Sequence, residues 1–135
     1  MTLRRRHPVY AAGIVERHDN HVLIVLPRGA DETLRHWQFP RGKANADESP
    51  ETAMRRVASQ QLGLNVEIVV GQPPVLARID GEEVEMRFFF CGIIEGTLRA
   101  GEYAETAWIH KAHLREYEFD EVSMPVVKWM LEERG

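Results

Sequence analysis

The sequence is poor in cysteine and in long apolar runs, and both scarcities limit what the protein can be. Cys91 is the only cysteine among 135 residues, so no intramolecular disulfide can form, and its apolar surroundings in residues 88–94 predict a buried, inert thiol. No apolar stretch approaches the roughly 18 residues that a membrane span needs, and the N-terminus lacks the apolar region of a signal peptide. We therefore expect a cytoplasmic protein without a membrane partner.

Basic charge is also limited, since 17 Lys and Arg stand against 21 Asp and Glu and give a net charge of −4. Such a chain has no overall positive field with which to hold nucleic acid. The short run Arg4, Arg5 and Arg6 is interpreted as a solvated terminus. The histidines include no pair at the spacing of zinc ligands on a helix, and no glycine-rich P-loop is present. These observations argue against a zinc centre and a P-loop nucleotide site.

Aliphatic and β-branched runs predict seven strands. They cover residues 9–15, 21–26, 37–39, 66–70, 75–79, 84–94 and 106–109. Polar residues 17–20 predict a hairpin turn between the first two strands, and Asp80-Gly81 predicts another between the fifth and sixth. Trp37 and the aromatic residues 88–90 are expected in the core.

Loop and helix signals follow the third strand. Pro40 ends that strand and Gly42 opens a loop. Ser49 is a good N-cap, Pro50 suits the first helical position and Gly63 is a good C-terminal stop, so the pattern predicts a helix from Pro50 to about Leu62. Apolar residues recur at intervals of three and four within it, which gives the helix one buried face.

The remaining segments complete a prediction of fold class. Residues 111–115 are expected to form one turn of helix, and residues 123–133 form a second amphipathic helix. The order strands, helix, strands, helix predicts an α/β fold with a mixed sheet and helices on both faces. With 44% hydrophobic residues and no visible repeat or linker, residues 1–135 are expected to form a single domain.

The segment at residues 42–64 resembles the Nudix box, G-x5-E-x7-R-E-U-x-E-E-x-G-U, in which U is a bulky aliphatic residue. The residues that match its frame are Gly42, Glu48, Arg56, Gly63 and Leu64. On this frame the chain is identified as a member of the Nudix family. The resemblance covers essentially the whole chain and implies an α/β/α sandwich. It also implies cleavage of a nucleoside diphosphate linked to another group, with Mg²⁺ or Mn²⁺ as cofactor if the chain is active.

Val57, Gln60 and Gln61 stand where the family has its three helical glutamates. Helical spacing would bring all three positions to one face, where carboxylates can hold hard cations. Glutamine lacks the negative charge, and valine lacks an oxygen as well. If each ligand contributed about 2 kcal/mol, losing three would remove several powers of ten in rate. We expect ordinary Nudix catalysis to be abolished or nearly so.

Three retained glutamates are the candidates for compensation. Glu48 belongs to the box and is expected to pair with Arg56, with a metal-binding role as the weaker alternative. Glu102 and Glu105 precede the last predicted strand, where many Nudix enzymes carry an acidic residue that binds metal or acts as a base. Glu102 and Glu105 are therefore candidate catalytic residues, and Glu48 and Glu102 are weak candidate metal ligands. Solvated loop charge is the alternative for both loop residues.

Four cations are candidate contacts to substrate phosphates: Arg28, Arg41, Lys43 and Arg87. Arg41 and Lys43 flank the box glycine, and exposed loop charge is their alternative interpretation. The phrase Trp37-Gln-Phe-Pro-Arg-Gly42 resembles RNA 5′-pyrophosphohydrolases and dinucleoside polyphosphate hydrolases. The partners implied are a nucleotide, a polyphosphorylated small molecule or an RNA 5′ end.

Three functions remain open on this sequence. The first is a nucleotide-binding protein that has lost efficient hydrolysis, which affinity without turnover would support. The second is an active metal-dependent hydrolase with a relocated site built from Glu48, Glu102 and Glu105. The third is a structural subunit of a larger assembly, which co-purification without nucleotide affinity would support. The chemistry of the box favours the first.

Overall fold

A computed structural model of the protein describes residues 7–29, 36–99 and 101–133. The run Arg4, Arg5 and Arg6 lies outside these residues. Seven strands, two α-helices, one π-helical segment and one 3₁₀ helix are found in the described part. In chain order they are β1 (Val9–Glu16), β2 (His21–Pro27), β3 (Arg41–Lys43), α1 (Pro50–Val57), the π segment (Ala58–Leu62), β4 (Leu64–Gly71), β5 (Val75–Ile79), β6 (Glu82–Gly96), β7 (Tyr103–His110), the 3₁₀ helix (Lys111–Glu116) and α2 (Met124–Glu133).

The strands form one mixed sheet, as the sequence predicted. β6 is the long central strand: it runs parallel to β1 on one edge and antiparallel to β4 and β5 on the other. β2 pairs with β7 in antiparallel register. The turn between β5 and β6 has positive φ angles at Asp80 (51°) and Gly81 (80°), the backbone of a type I′ hairpin, so this predicted hairpin is confirmed.

Alternation along the strands builds two apolar layers, one on each face of the sheet. On β1, Ala11 and Val15 contribute to the layer under α1, whereas Ala12 and Ile14 contribute to the layer under α2. The prediction of a mixed α/β sheet with helices on both faces is therefore confirmed. No helix in the described part of the chain has the length and apolar character needed to cross a membrane.

Cys91, Phe88 and Phe89 take the core positions that the sequence predicts, whereas Trp37 and Phe90 are only partly buried against the core. Cys91 is buried, and burial raises the pKa of its thiol to about 12, against a smaller opposing effect of Arg55. Phe88 and Phe89 are buried on opposite sheet faces, and Trp37 packs edge-on against Tyr117 with ring centroids 5.8 Å apart.

The predicted third strand is wrong in its position. Trp37 and Gln38 form only isolated bridges, and the strand lies at Arg41–Lys43, where a loop was expected. The physical reason is that β1 and β2 pair only next to their connecting turn, at Glu16 and Val22, and are separated along the rest of their length. The chain inserts into the resulting gap, where β3 pairs with β1 and Gly13 N–H donates to the Pro40 carbonyl at 2.9 Å.

Candidate functional site

The loop between β3 and α1 is closed by an ion pair within the box. Arg56 donates from Nε to Glu48 Oε2 and from Nη2 to Glu48 Oε1, both at 2.9 Å, and Nη2 also reaches the Lys43 carbonyl at 2.9 Å. Glu48 Oε1 further accepts from the Asn45 N–H at 3.1 Å. Both oxygens of Glu48 therefore serve to fix the loop, and Lys43 contributes its backbone to the same network while its side chain is exposed.

Helix α1 begins as predicted but does not continue as an α-helix to residue 62. Ser49 Oγ accepts from Thr52 N–H at 3.1 Å, which is the expected N-cap. After Val57 the chain forms the π segment, and Gly63 ends it with φ 71°. A π turn contains more residues than an α turn, so it changes the direction in which successive side chains project. The predicted continuous helix is corrected here.

The three family ligand positions have three different environments. Val57 is fully buried, and a Cβ placed on Gly42 would lie only 2.6 Å from Val57 Cγ2. Gly42 is therefore required for this close contact between β3 and the helix. Gln60 is exposed. Gln61 is partly buried and accepts a hydrogen bond from the Tyr103 hydroxyl.

Tyr103 is the functional-site residue that sequence reasoning missed. Burial raises the pKa of Tyr103 to about 12, the negative charge of Glu102 adds to the increase, and Arg41 opposes it. The phenol therefore lies within the electrostatic reach of both Glu102 and Arg41. The structure thus brings Gln61 and Tyr103 together, and no feature of the linear sequence signals this pairing.

Arg41 has a strong partner that the sequence did not indicate. Its Nη1 donates to Asp120 Oδ2 at 2.7 Å, and both side chains are largely buried. Asp120 also accepts from the Ser123 N–H at 3.0 Å just before α2. Arg41 therefore ties β3 to the start of α2. Its position beside Ala12 in the sheet register agrees with this, because Ala12 faces the α2 layer.

The other candidates lie apart from this group. Arg28 donates to the Gly101 carbonyl at 3.0 Å and is exposed. Glu105 is exposed and aligns with Leu26. Strand alternation places it on the same face as Ala107 and Ile109, which belong to the α2 layer. Glu105 is thus on the opposite face of the sheet from Val57.

Arg87 lies on the α1 face of β6, two positions before Phe89. Its guanidinium carbon is 5.6 Å from the centroid of the Phe89 ring. Its Nε is buried, and no described residue accepts a hydrogen bond from it. Arg87 is therefore a cation on the box side of the sheet with an unsatisfied donor.

The residues at the family metal positions do not fit a hard divalent cation. Such ions prefer several oxygen ligands, anionic ones above all. Val57 offers hydrocarbon, Gln60 and Gln61 are neutral, and the Gln61 oxygen is already bonded to Tyr103. Within residues 7–29, 36–99 and 101–133, no group of three or more His, Cys, Asp and Glu is arranged to hold a metal.

A mixed sheet between two helices, with the Gly-Glu-Arg-Gly frame of the box packed on one face, defines an α/β/α sandwich of the Nudix type. A NUDIX domain model matches residues 6–130. The chain belongs to the Nudix family, whose members act on nucleotide or polyphosphate substrates and generally use divalent metals such as Mg²⁺.

Relatives agree on the fold and on the broad class. The CTP pyrophosphohydrolase of Escherichia coli K12 is 23% identical over 117 residues, which are 87% of this chain and 86% of that protein. The solution structure of the E. coli ORF135 protein has a TM-score of 0.75 at 22% identity, covering 95% of this chain and 91% of that one. A MutT protein from Methanosarcina mazei Go1 has a TM-score of 0.79 at 15% identity, covering 98% and 99%. The chain is thus a Nudix family protein related to pyrophosphohydrolases.

Burial of the Tyr103 hydroxyl predicts that the stability of the protein falls at alkaline pH. Tyr103→Phe should lower the free energy of unfolding at neutral pH by about 1 kcal/mol, because one hydrogen bond is lost. The pKa of Tyr103, about 12, exceeds the unfolded value of about 10, so the folded state binds more protons between these values. This stabilising contribution is complete below pH about 10 and is lost as the pH rises to about 12.

Urea unfolding at several alkaline pH values measures this effect. The unfolding free energy of Tyr103→Phe should fall less steeply with pH than that of the unmodified protein. Tyr117→Phe is a matched control, since it leaves the Tyr103 hydroxyl and Gln61 in place. If the unfolding free energies of the unmodified protein and Tyr103→Phe fall equally steeply with pH, the raised pKa of Tyr103 is contradicted.

Proposed function

We propose that this Nudix protein binds a nucleotide or polyphosphate in the family cleft and has lost ordinary metal-dependent hydrolysis. The proposal rests mainly on the apolar, buried environment of Val57. A fully buried valine whose methyl group packs on Gly42 puts hydrocarbon where the family places a metal-binding carboxylate. The cytoplasmic location expected from the sequence belongs to the same proposal.

Two further contacts support loss of turnover with retention of the cleft. Both carboxylate oxygens of Glu48 accept hydrogen bonds from Arg56, which leaves Glu48 poorly suited to act as a base. The same pair fixes the loop that follows β3, so the shape of the site does not depend on a bound metal. Gln61 is likewise held by Tyr103.

The substrate class follows from the relatives and from the box frame. The E. coli relative acts on CTP, by its name, and the sequence phrase that ends at Gly42 is shared with dinucleoside polyphosphate and RNA 5′-end hydrolases. A nucleoside polyphosphate is accordingly the ligand class we propose. An RNA 5′ end belongs to the same class, because it carries a 5′ polyphosphate on its first nucleoside.

A phosphate-release assay with Mg²⁺ or Mn²⁺ tests the proposal. Suitable substrates are CTP, other nucleoside triphosphates, dinucleoside polyphosphates and triphosphorylated RNA, with the E. coli CTP pyrophosphohydrolase as the active control. We expect turnover several powers of ten below that control, because three ligands worth about 2 kcal/mol each are missing. Titration should still show nucleotide binding. Turnover comparable to the control enzyme would refute the proposal.

A relocated acidic site is the second candidate, and the observation that favours it is the effect of Glu102 on Tyr103. Glu102 directly precedes Tyr103 in the chain, and Tyr103 is hydrogen-bonded to Gln61, which supports Glu102 as the carboxylate of such a site. If such a site supports hydrolysis, Glu102→Gln should abolish metal-dependent turnover while Glu105→Gln, on the opposite sheet face, leaves it intact.

A further inference from the structure

We propose that β5 is a docking edge for a second copy of this chain, which adds to the sheet as an antiparallel strand across a two-fold axis at Ala77. β5 lies at the opposite end of the sheet from β7 and contributes no residue to the box. The inference therefore does not depend on the proposed function.

The outer edge of β5 is regular and open. β5 pairs with β6 through five consecutive residues without a register shift, and in the described part of the chain it pairs with no other strand. β4, on the same side of β6, carries two register shifts. Such irregularities, prolines and charged side chains normally protect sheet edges from pairing with another chain. Residues 75–79 contain no proline and one charge, that of Arg78, so this edge lacks most of that protection.

Backbone directions identify the polar groups on this open edge. Glu85 is the register partner of Leu76, but its N–H donates to the Pro8 carbonyl at 2.8 Å, on the β1 side of β6. Bonded and non-bonded pairs alternate along an antiparallel ladder. The N–H and C=O groups of Leu76 and Arg78 therefore point away from β6, and these four groups are the ones that an added strand would bind.

The open groups of two copies satisfy one another when they pair across the axis. Leu76 of one copy would exchange two hydrogen bonds with Arg78 of the partner subunit, and the reverse pair would form by symmetry. Ala77 would meet its own copy as a non-hydrogen-bonded pair, and its methyl group is small enough for the close approach that such pairs make. The donors and acceptors of this edge are thus complementary to themselves, as a symmetric dimer requires.

The side chains on the edge also complement a second copy. Ala77 packs on the α2 layer, so Leu76 and Arg78 project from the other face of the strand. Leu76 is 63% exposed, and the stem of the partner's Arg78 would cover it. That guanidinium would lie between its own register partner Glu83 and Glu85 of the first copy, two strands or about 10 Å away. Each arginine is then flanked by carboxylates from both chains, which favours association.

A groove between β5 and the start of α2 adds apolar surface beside the axis. Its volume is about 370 Å³, and its lining includes Val75, Val122 and Pro125. An adjoining hollow of about 210 Å³ shares Val75 and Pro125 and extends to the exposed ring of Trp129. Two strands of five residues bury little area alone, whereas specific interfaces bury about 1,200 Å² or more. Closure of the two symmetric grooves on each other would supply the additional contact.

Sedimentation velocity of the unmodified protein at increasing concentration tests the association. The mass should rise from the 15.5 kDa of one chain toward twice that value, at micromolar rather than nanomolar concentrations because the interface is small. A mass of one chain at every concentration would overturn the proposal. Growth beyond two copies would contradict the two-fold axis.

Reversal of one charge tests the contact at the edge. In Arg78→Glu, a carboxylate replaces the cation between Glu83 and Glu85 of the partner subunit, so the dissociation constant should rise about tenfold or more. Arg55→Glu is the matched control, because Arg55 is equally exposed and undergoes the same change of charge on α1. It should leave the dissociation constant unchanged. Equal dissociation constants for the two variants would overturn the role of the β5 edge.

A disulfide between the two copies tests the register. Non-hydrogen-bonded pairs have Cα atoms about 4.5 Å apart, within the range that a disulfide bridges, so Ala77→Cys should form a covalent dimer in oxidised glutathione. Val75→Cys is the control on the same strand. Val75 is more exposed than Ala77, but its two copies would lie about 13 Å apart along the strands. Cys91 is buried in both variants. Covalent dimers of Val75→Cys that form as fast as those of Ala77→Cys would overturn the register.

Discussion

Carboxylates installed together at positions 57, 60 and 61 should make the folding of this protein depend on Mg²⁺. In the Val57→Glu, Gln60→Glu, Gln61→Glu variant, the first new carboxylate enters a fully buried apolar position. A buried, unpaired charge costs about 3 kcal/mol or more, so the variant should unfold at lower urea concentrations in EDTA. Magnesium binding would restore about 2.7 kcal/mol at a concentration 100 times its Kd.

The measurement is urea unfolding and Mg²⁺ titration of the variant beside two controls. Val57→Gln has the same bulk as the glutamate substitution without the charge, so it should lose stability and show no response to Mg²⁺. The unmodified protein should show no response either. Tight Mg²⁺ binding by the unmodified protein at this helix would contradict the interpretation of a neutralised site. A triple variant whose stability in urea is the same with and without Mg²⁺ would also contradict it.

Removal of Arg56 should produce the second large effect. Arg56→Ala breaks two hydrogen bonds to Glu48 and one to the Lys43 carbonyl, and leaves a carboxylate whose side chain is only 10% exposed. We expect the free energy of unfolding to fall by about 2 to 3 kcal/mol, below the full cost of a buried pair because Arg56 itself is partly exposed. Urea denaturation provides the value.

Arg55→Ala is the natural control for this substitution. Arg55 is the adjacent residue in α1 and is exposed, and alanine is the better helix former. It should change stability by no more than about 0.5 kcal/mol. A double-mutant cycle with Glu48→Gln then isolates the coupling between Glu48 and Arg56. Similar losses in the Arg55 and Arg56 variants would show that the ion pair does not hold the loop.

Local signals predicted much of the fold. Ser49 caps α1, and Asp80-Gly81 turns between β5 and β6, because each feature depends on residues close in sequence. The layers on β1 follow from alternation alone. The position of β3 was not predictable in this way, because it depends on the divergence of two other strands. Pro40 breaks the local pattern, yet its carbonyl bonds to Gly13, 27 residues earlier in the numbering.

The site shows the same division between local and distant determinants. The box frame identified Glu48 and Arg56, which are eight residues apart and pair in the structure. The Arg41 to Asp120 contact joins residues 79 positions apart, and the Gln61 to Tyr103 contact joins residues 42 positions apart. One sequence offers no signal for such pairings, since many polar residues could serve as either partner.

The π segment has a consequence for carboxylates placed at the three family ligand positions. In an α-helix, positions 57, 60 and 61 would project together, but the wider turn leaves Gln60 in solvent while Val57 is buried. Carboxylates at these three positions would therefore converge on one ion only if residues 58–62 tighten to an α-helix, so Mg²⁺ binding by the triple variant should be coupled to that change of backbone. Part of the binding free energy of Mg²⁺ would be used to rewind this segment, so the metal affinity of the triple variant measures the cost of the π turn as well as the strength of the ligands.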